Sequence, residues 1–180
     1  MRVIFLDVDG VLNCKTTKQR VPGESWIGID PLKVMLLKQI IDETGAQVVL
    51  SSSWRYDWNK DYSKCRRHVK YLIDSLRDAH IEIYDVTPVV GNGYSRGTEI
   101  SEWLTSNEDV DGWVVLDDEV FHDFKQQHIR SHFVKTDYEY GLTTERVNRA
   151  IGVLNGDTVT IKEYNSALDD KDREHFGVSL

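Results

Sequence analysis

The sequence predicts an α/β fold, a three-layer sandwich in which helices cover both faces of a mostly parallel sheet of about five strands. Short, continuously apolar runs recur along the chain, and segments with helical periodicity separate them. Such runs are typical of strands buried on both faces, and strands joined through helices pair in parallel by right-handed crossovers. A chain of 180 residues, 40% of them hydrophobic, can bury one core. We expect one domain over residues 1–155 and a polar C-terminal tail over 156–180 that could pack on it.

The first half of the chain supplies two predicted strands and two predicted helices. The strands are residues 2–6 (RVIFL) and 46–50 (AQVVL). Between them, Asp30 and Pro31 provide the cap and first position of a helix that ends at Gly45. A second helix is indicated by apolar residues at helical spacing, namely Tyr62, Cys65, Val69, Leu72, Ile73 and Leu76.

The second half of the chain continues the alternation. Its apolar runs and periodic segments predict strands at 81–86, 112–116 and 132–135 and helices at 98–104 and 144–154. Thr143 is the expected N-cap of the last helix, and Asn155-Gly156 is its expected stop. Ligands of such a sheet bind at the carboxyl ends of its strands, so the residues that follow each strand are the candidates for function.

Charge and cysteine content exclude several classes of protein. A formal net charge of −8 argues against a surface that as a whole attracts nucleic acid or anionic membrane, although a local patch still can. No apolar run approaches the roughly 20 residues of a membrane span, and the amino terminus lacks a signal-peptide pattern. Cys14 and Cys65 form no CxxC and fit structural thiols in a reducing compartment. We therefore expect a soluble cytoplasmic protein.

Paired aspartates follow two of the predicted strands. Asp7 and Asp9 come after the first strand, and Asp117 and Asp118 come after the fourth. Aspartate is common where a strand turns into a loop, so either pair alone has an ordinary structural explanation. Several carboxylates that converge without a counterion would raise one another's pKa and cost stability. A hard cation resolves this conflict, and we expect Mg²⁺ held by a few carboxylates together with a substrate phosphate.

These residues carry a resemblance to a known family. The segments DVDGV (7–11), VVLSSS (48–53) and VVLDD (114–118) resemble the first, second and fourth motifs of the haloacid dehalogenase (HAD) superfamily of phosphatases and phosphotransferases. The segments LSSSWR (50–55) and TDYEYGLT (136–143) are similar to the HAD-like domain of Swiss-army-knife RNA-repair proteins. The resemblance spans about residues 1–155 and implies a Rossmann-like fold with a minimal cap.

The resemblance also implies roles for the four aspartates. Asp7 would be the nucleophile that forms an aspartyl-phosphate, and Asp9 would be the general acid and base. The Mg²⁺ site would comprise Asp7, Asp9 through its backbone carbonyl, Asp117 and Asp118. The sequence thus predicts a phosphoric monoester hydrolase that depends on Mg²⁺.

The phosphate needs hydrogen-bond donors and a cation. Ser51 follows the second strand and offers a hydroxyl beside backbone N–H groups, and Ser52 is a rival for the same role. Arg96 is the expected cation, because a guanidinium can hold a carboxylate and a phosphate oxygen together. Arg55 and Lys135 could reach the same place. Gly91-Asn92-Gly93 lacks the GxGxxG spacing and is interpreted as a loop.

The substrate follows less directly from the residues. Residues 12–29 suffice only for a loop or small flap, so the site should be open, which favours a large substrate or one covered by a partner. Residues 55–77 carry seven basic and three acidic side chains, and Lys60, Lys64 and Arg67 are expected on one helical face. With Trp54, Tyr56 and Trp58 just upstream, Arg55, Lys64 and Arg67 could bind an oligonucleotide end.

Other readings of the same residues stay open. The basic segment can be a solvated face over core aromatics, and the enzyme can be a small-metabolite phosphatase of the same fold. A receiver-type signalling module also has aspartates at strand ends. It requires adjacent acids after the first strand and Lys-Pro after the fifth, whereas this chain has DVD and Lys135-Thr136 there. A non-catalytic phosphate-binding module is disfavoured by the intact Asp7 and Asp9.

Overall fold

Five parallel strands form a single sheet in the computed structural model, which describes residues 1–90, 95–125, 128–168 and 172–173. The strand order is β3-β2-β1-β4-β5, so the first strand lies in the middle. This arrangement confirms the predicted α/β fold and the predicted sheet of about five strands. The strands are β1 (Arg2–Leu6), β2 (Gln47–Leu50), β3 (Ile83–Val86), β4 (Gly112–Asp117) and β5 (Phe133–Lys135).

Helices cover both faces of the sheet. They are α1 (Pro31–Thr44), α2 (Arg67–Arg77), α3 (Arg96–Thr105), α4 (Thr144–Leu154) and α5 (Ile161–Ala167). Helix α1 contacts both α2 and α4, which places these three on one face. The crossover from β3 to β4 runs back across the sheet, and its right-handed sense puts α3 on the opposite face. The result is the predicted three-layer sandwich.

Helix α1 begins and ends where the sequence predicts. The side chain of Asp30 accepts a hydrogen bond from the backbone N–H of Leu32, and Pro31 takes the first helical position. Gly45 closes the helix in the left-handed conformation with φ of 69°. The capping residues alone therefore fix both ends of this helix.

The second predicted helix starts later than its apolar spacing indicates. Residues Tyr62–Lys64 form a 3₁₀ turn capped by Asp61, Cys65 is extended, and α2 begins only at Arg67. The backbone N–H of Asn59 donates to the buried Sγ of Cys65, which holds the intervening loop against the helix. Lys60, Lys64 and Arg67 therefore do not share a helical face, contrary to the prediction.

The segment at 12–29 between β1 and α1, called the flap below, folds back over α2. An antiparallel bridge joins Arg20 to Ile27 near its tip. The hydroxyl of Tyr71 on α2 accepts a hydrogen bond from the backbone N–H of Ile29 at 3.1 Å. The length of this interval predicts only a loop or small flap, and the structure shows a small hairpin anchored to a helix.

The C-terminal region contributes to the core. A capping box between Thr160 and Glu163 starts α5, and Tyr164 is buried beside Phe133 with ring centroids 6.0 Å apart. The predicted domain boundary at residue 155 stays a prediction. Residues 169–171 and 174–180 of the predicted tail lie outside the described residues, as does the predicted loop at Gly91-Asn92-Gly93. Among the helices that the structure describes, none has the length and apolar character to cross a membrane.

Candidate active site

The carboxyl ends of the three central strands bring the predicted motifs together. β1 lies between β2 and β4, with Leu6 paired to Leu50 on one side and to Leu116 on the other. The next residues along these strands, Asp7, Ser51 and Asp117, are therefore neighbours at one edge of the sheet. Asp7 and Asp117 are buried, and Ser51 is buried beside them. The strand register positions three side chains that are far apart in the sequence.

Arg96 joins the aspartates of the two motifs. Its Nη1 donates to Asp7 Oδ1 at 2.8 Å and to Asp117 Oδ2 at 2.5 Å. The guanidinium also lies over the ring of Phe121, 4.6 Å from its centroid. Burial raises the pKa of the Asp7 and Asp117 carboxyls, and the charge of Arg96 opposes that rise in both. The structure thus brings Arg96 into contact with Asp7 and Asp117, while its role as the stabilising cation stays a prediction.

Asp123 holds the start of the helix that carries Arg96. Its carboxylate accepts hydrogen bonds from the backbone N–H groups of Gly97 and Thr98 and from the hydroxyl of Thr98, at 3.1, 2.8 and 3.0 Å. Three donors at one buried carboxylate fix the first turn of α3. The sequence analysis missed Asp123, because it lies on a different loop and caps α3 only in the folded chain.

Three carboxylates form a group suited to a divalent cation. One oxygen from each of Asp7, Asp117 and Asp118 lies within 4.8 Å of the others. Burial and the charge of Asp7 raise the pKa of Asp118 to about 7, so the group is electrostatically unfavourable by itself. The three carboxylates together carry more negative charge than Arg96 neutralises. Such hard oxygen ligands are the ones that Mg²⁺ binds. These residues therefore fit the predicted metal.

Gly10 permits this packing of Asp118. Its φ is 69°, a left-handed conformation that glycine adopts without a steric penalty. A Cβ at this position would lie 2.3 Å from the carboxyl carbon of Asp118. The glycine of the DVDGV motif therefore serves two purposes, since it turns the chain and makes room for a predicted metal ligand.

The Asp9 carboxylate lies outside the three-carboxylate group and is held by neutral donors. Asn13 Nδ2 donates to its Oδ1 at 2.8 Å, and Trp54 Nε1 donates to its Oδ2 at 2.9 Å. Asn13 is itself buried and accepts a hydrogen bond from the backbone N–H of Gly10. Asp9 is exposed, whereas Asp7 is buried. The two carboxylates of the first motif therefore have different surroundings, as distinct roles require.

The two candidate serines have different hydrogen-bonding states. Ser52 Oγ accepts a hydrogen bond from the backbone N–H of Trp54 and lies close enough to Asp7 to help lower its pKa. Ser51 Oγ is buried and has no hydrogen-bond partner among the residues that the structure describes. Because buried hydroxyls rarely lack a hydrogen-bond partner, this unpaired hydroxyl favours Ser51 as a phosphate ligand.

The rival cations and the predicted substrate-binding residues have other partners, although Lys135 also lies near Asp118. Arg55 is buried, and its Nη2 donates to Glu99 Oε2 at 2.5 Å, so it is not on the surface that we predicted for it. Lys135 lies 3.5 Å from Asp172 and near enough to Asp118 to lower that carboxyl's pKa. Lys64 is exposed beside Asp61, and Arg67 is exposed against the flap.

The three aromatic residues predicted beside the basic segment also separate. Trp54 is buried against Asp9, and Tyr56 is half-exposed. Trp58 lines a cavity of about 220 Å³ that it shares with Tyr62 and Ile83. The three side chains lie in different environments and not in one binding strip.

Comparison with protein families identifies one relationship that covers most of the chain. Residues 3–147 match the family described as the HAD domain in Swiss Army Knife RNA repair proteins. This range includes all five strands and every residue that the sequence analysis assigned to the site. No curated protein matches the chain.

Proposed function

Because the chain belongs to the family of HAD domains in Swiss Army Knife RNA repair proteins, we propose that it hydrolyses phosphate monoesters through an aspartyl-phosphate on Asp7. The family supports a HAD-type phosphohydrolase in general. The observation that carries the finer proposal is the convergence of Asp7 with Arg96, Asp117 and Asp118 at one edge of the sheet. This arrangement has the nucleophile, the cation and the metal-ligand set that the reaction needs.

In the first step, a carboxylate oxygen of Asp7 attacks phosphorus and the bond to the leaving oxygen breaks. Asp9 gives its proton to that oxygen as it departs. The N–H of Trp54 and the amide of Asn13 hold the Asp9 carboxyl in position. Arg96 and the hydroxyl of Ser51 are the donors for the phosphoryl oxygens.

In the second step, Asp9 takes a proton from water, and the water oxygen attacks the phosphorus of the aspartyl-phosphate. The bond between phosphorus and the Asp7 oxygen breaks, which releases inorganic phosphate and restores both carboxyl groups. One exposed residue can serve both steps because it meets the leaving group and the water from the same side.

The residues that would hold Mg²⁺ are Asp7, Asp117 and Asp118. When bound, the ion supplies positive charge that offsets the repulsion between the Asp7 carboxylate and the phosphate. Asp9 would contribute through its backbone carbonyl, as the family resemblance implies.

The proposed substrate is a phosphate at the end of an oligonucleotide. The name of the matched family refers to RNA repair. The exposed basic side chains of residues 56–77 would attract a nucleic-acid strand to a chain that is otherwise acidic. The flap is a short segment of residues 12–29, and Asp9 beside it is exposed, which is compatible with a polymeric substrate. A small-metabolite phosphatase of the same fold is the competing proposal.

The test is phosphate release, with and without Mg²⁺, from three substrates: an aryl phosphate, a nucleoside monophosphate and an oligonucleotide with a 3′-phosphate. We expect Mg²⁺-dependent turnover with the highest kcat/KM for the oligonucleotide. Asp7→Asn should abolish it, whereas Asp42→Asn, which changes an exposed carboxylate on α1, should not.

Preference for the nucleoside monophosphate or the aryl phosphate would favour a metabolite phosphatase. No turnover of any substrate by a folded, Mg²⁺-supplied protein would contradict the proposed reaction and favour a phosphate-binding module.

A further inference from the structure

The leaving group of the proposed reaction has one direction in which to extend. Its oxygen must lie beside Asp9, because that carboxyl protonates it. Asp9 is exposed whereas Asp7 is buried, so a large leaving group projects outward on the Asp9 side. Trp54 forms the adjoining wall, since its Nε1 donates to Asp9 Oδ2 at 2.9 Å.

A row of three aromatic rings starts at this wall. Trp54 contacts His68 with ring centroids 5.4 Å apart, and His68 contacts Trp26 with centroids 5.5 Å apart. Both contacts are edge-to-face, at 72° and 69°. The three rings come from the 3₁₀ turn after β2, from α2 and from the flap. This aromatic row leads from the general acid to the protein surface.

Trp26 is the exposed end of the aromatic row. Its side chain is 52% exposed, although an indole ring gains more from burial than most side chains. The neighbouring Trp54 is only 6% exposed. A half-exposed tryptophan fixed against a second ring presents a flat π surface on which a nucleobase can stack.

The flap holds Trp26 in place. The backbone N–H of Val21 donates to the carbonyl of Trp26, next to the bridge at the flap tip. Arg67 packs against Gly23 so closely that a Cβ there would lie 2.3 Å from its Nη1. Trp26 therefore sits on a supported hairpin with a guanidinium at its side.

The charge around the aromatic row suits a polyanion. Residues 56–77 carry six basic and three acidic side chains, and the flap carries Lys18 and Arg20 against Glu24, while its Lys15 is paired with Glu139 outside the flap. The whole chain has a formal net charge of −8, so this corner departs from the rest of the molecule. Basic side chains beside exposed aromatic rings are the combination that binds single strands of nucleic acid.

We propose that the exposed face of Trp26 binds a nucleobase of the strand whose terminal phosphate enters the site, with Arg67 beside the strand's backbone. This inference rests on the proposed phosphohydrolase function and assigns its leaving-group site. It gives Trp26 a role in substrate selection. The predicted strip of Trp54, Tyr56 and Trp58 is replaced by the aromatic row of Trp54, His68 and Trp26, whose rings are in contact.

The test compares an oligonucleotide 3′-phosphate with glycerol 2-phosphate, which has no ring to stack. In Trp26→Ala, we expect the KM for the oligonucleotide to rise about tenfold or more beyond any rise for glycerol 2-phosphate. Trp26→Phe should restore most of the difference, because phenylalanine keeps an aromatic face. The matched control is Tyr84→Ala, which removes a 48% exposed aromatic ring from the edge strand β3 and should change neither KM.

Each other result has one meaning. Equal changes in both KM values, or no change, would overturn the role of Trp26. If the wild-type protein cleaves glycerol 2-phosphate but not the oligonucleotide, the leaving-group site is wrong and the phosphohydrolase survives. If it cleaves neither of these substrates, nor the aryl phosphate or the nucleoside monophosphate, with Mg²⁺ present, the proposed function itself fails and takes this inference with it.

Discussion

At the residue scale, Asp118 lies where a carboxylate is costly without a cation beside it. Burial and the charge of Asp7 raise its pKa from 3.8 to about 7. At a pH between these two values, the Asp118 carboxyl keeps its proton in the folded protein and has lost it in the unfolded chain. The unfolding free energy of the metal-free protein therefore falls as pH rises through this window, and the loss is complete above pH 7.

Asp118→Asn should remove this loss. At pH 8 without metal, we expect the variant to be more stable by on the order of 1 kcal/mol, or about 2–4 °C in Tm. Saturating Mg²⁺ should reverse the order, because only the wild-type protein keeps all three carboxylates. Calorimetry at pH 5 and pH 8, with and without Mg²⁺, measures both effects, and Asp42→Asn is the exposed control. If the Tm difference between Asp118→Asn and the wild-type protein changed with neither pH nor Mg²⁺, Asp118 would not belong to the metal site.

Trp54 is the second residue whose role can be measured separately. If its N–H positions Asp9 as the general acid, Trp54→Phe should lower kcat/KM for an alkyl phosphate, which reports the first step, by about tenfold or more. The kcat/KM for 4-nitrophenyl phosphate should change much less, since nitrophenolate leaves without a proton. Trp103→Phe is a matched control, because Trp103 on α3 also donates from its Nε1 to an aspartate, Asp85, at 2.8 Å. Equal losses on the two esters would make Trp54 a packing residue only.

The sequence predicts the residues of the site that follow strands better than those that support them. Asp7, Asp117 and the serine pair Ser51 and Ser52 are candidates because they follow strands, and Arg96 is a candidate because a guanidinium can hold a carboxylate and a phosphate oxygen together. Asn13 and Trp54 could not be assigned to Asp9, because a hydrogen bond between loops depends on where the chain returns. Side-chain packing likewise decides that the Ser51 hydroxyl has no hydrogen-bond partner among the described residues and that Arg55 pairs with Glu99.

At the element scale, the position of Arg96 depends on the first turn of α3. Asp123→Ala would leave the N–H groups of Gly97 and Thr98 without their partner, at a cost of about 1–2 kcal/mol. We also expect kcat to fall, because Arg96 immediately precedes the released turn. Thr160→Ala removes a comparable cap from α5 and should lower Tm without changing kcat. An Asp123→Ala enzyme that loses stability but keeps full kcat would show that the cap does not position Arg96.

The predicted elements differ from the structure mainly where short polar interactions interrupt a periodic pattern. Caps at Asp30 and Gly45 act locally, so α1 was predicted with both ends correct. The spacing from Tyr62 to Leu76 fits a helix equally well, but Asp61 caps a separate 3₁₀ turn and Cys65 is bonded into the preceding loop. Hydrophobic periodicity cannot resolve a break of this kind, because it records the spacing of apolar residues and not the caps and side-chain hydrogen bonds between them.

At the scale of the whole molecule, α5 ties the C-terminal region to the edge of the sheet. Tyr164 is 2% exposed beside Phe133 of β5. Tyr164→Ala should lower the unfolding free energy by about 2–4 kcal/mol, which urea denaturation can measure. Ile161→Ala on the same helix changes a 59% exposed side chain and should cost much less. Equal, small effects of both substitutions would mean that α5 adds little to the core.

The order of strands explains why the site forms and why sequence alone could not place it in detail. The alternation of elements predicts a parallel sheet, but not that β1 is its centre. With the order β3-β2-β1-β4-β5, the first, second and fourth strands are adjacent, and their terminal residues meet. The family motifs anticipated this convergence, whereas the aromatic row from Trp54 to Trp26 depends on how the flap folds onto α2.

The proposed mechanism requires that Asp7 carries the phosphoryl group, and chemical trapping can detect that group on the residue. Enzyme mixed with the oligonucleotide 3′-phosphate and Mg²⁺ would be quenched in acid and treated with borohydride, which reduces an acyl phosphate to an alcohol. Peptide mass spectrometry should then find homoserine in place of aspartate at residue 7, and none at residues 9, 117 or 118. Turnover by an enzyme that never shows homoserine at residue 7, or that shows it at another aspartate, would contradict the account.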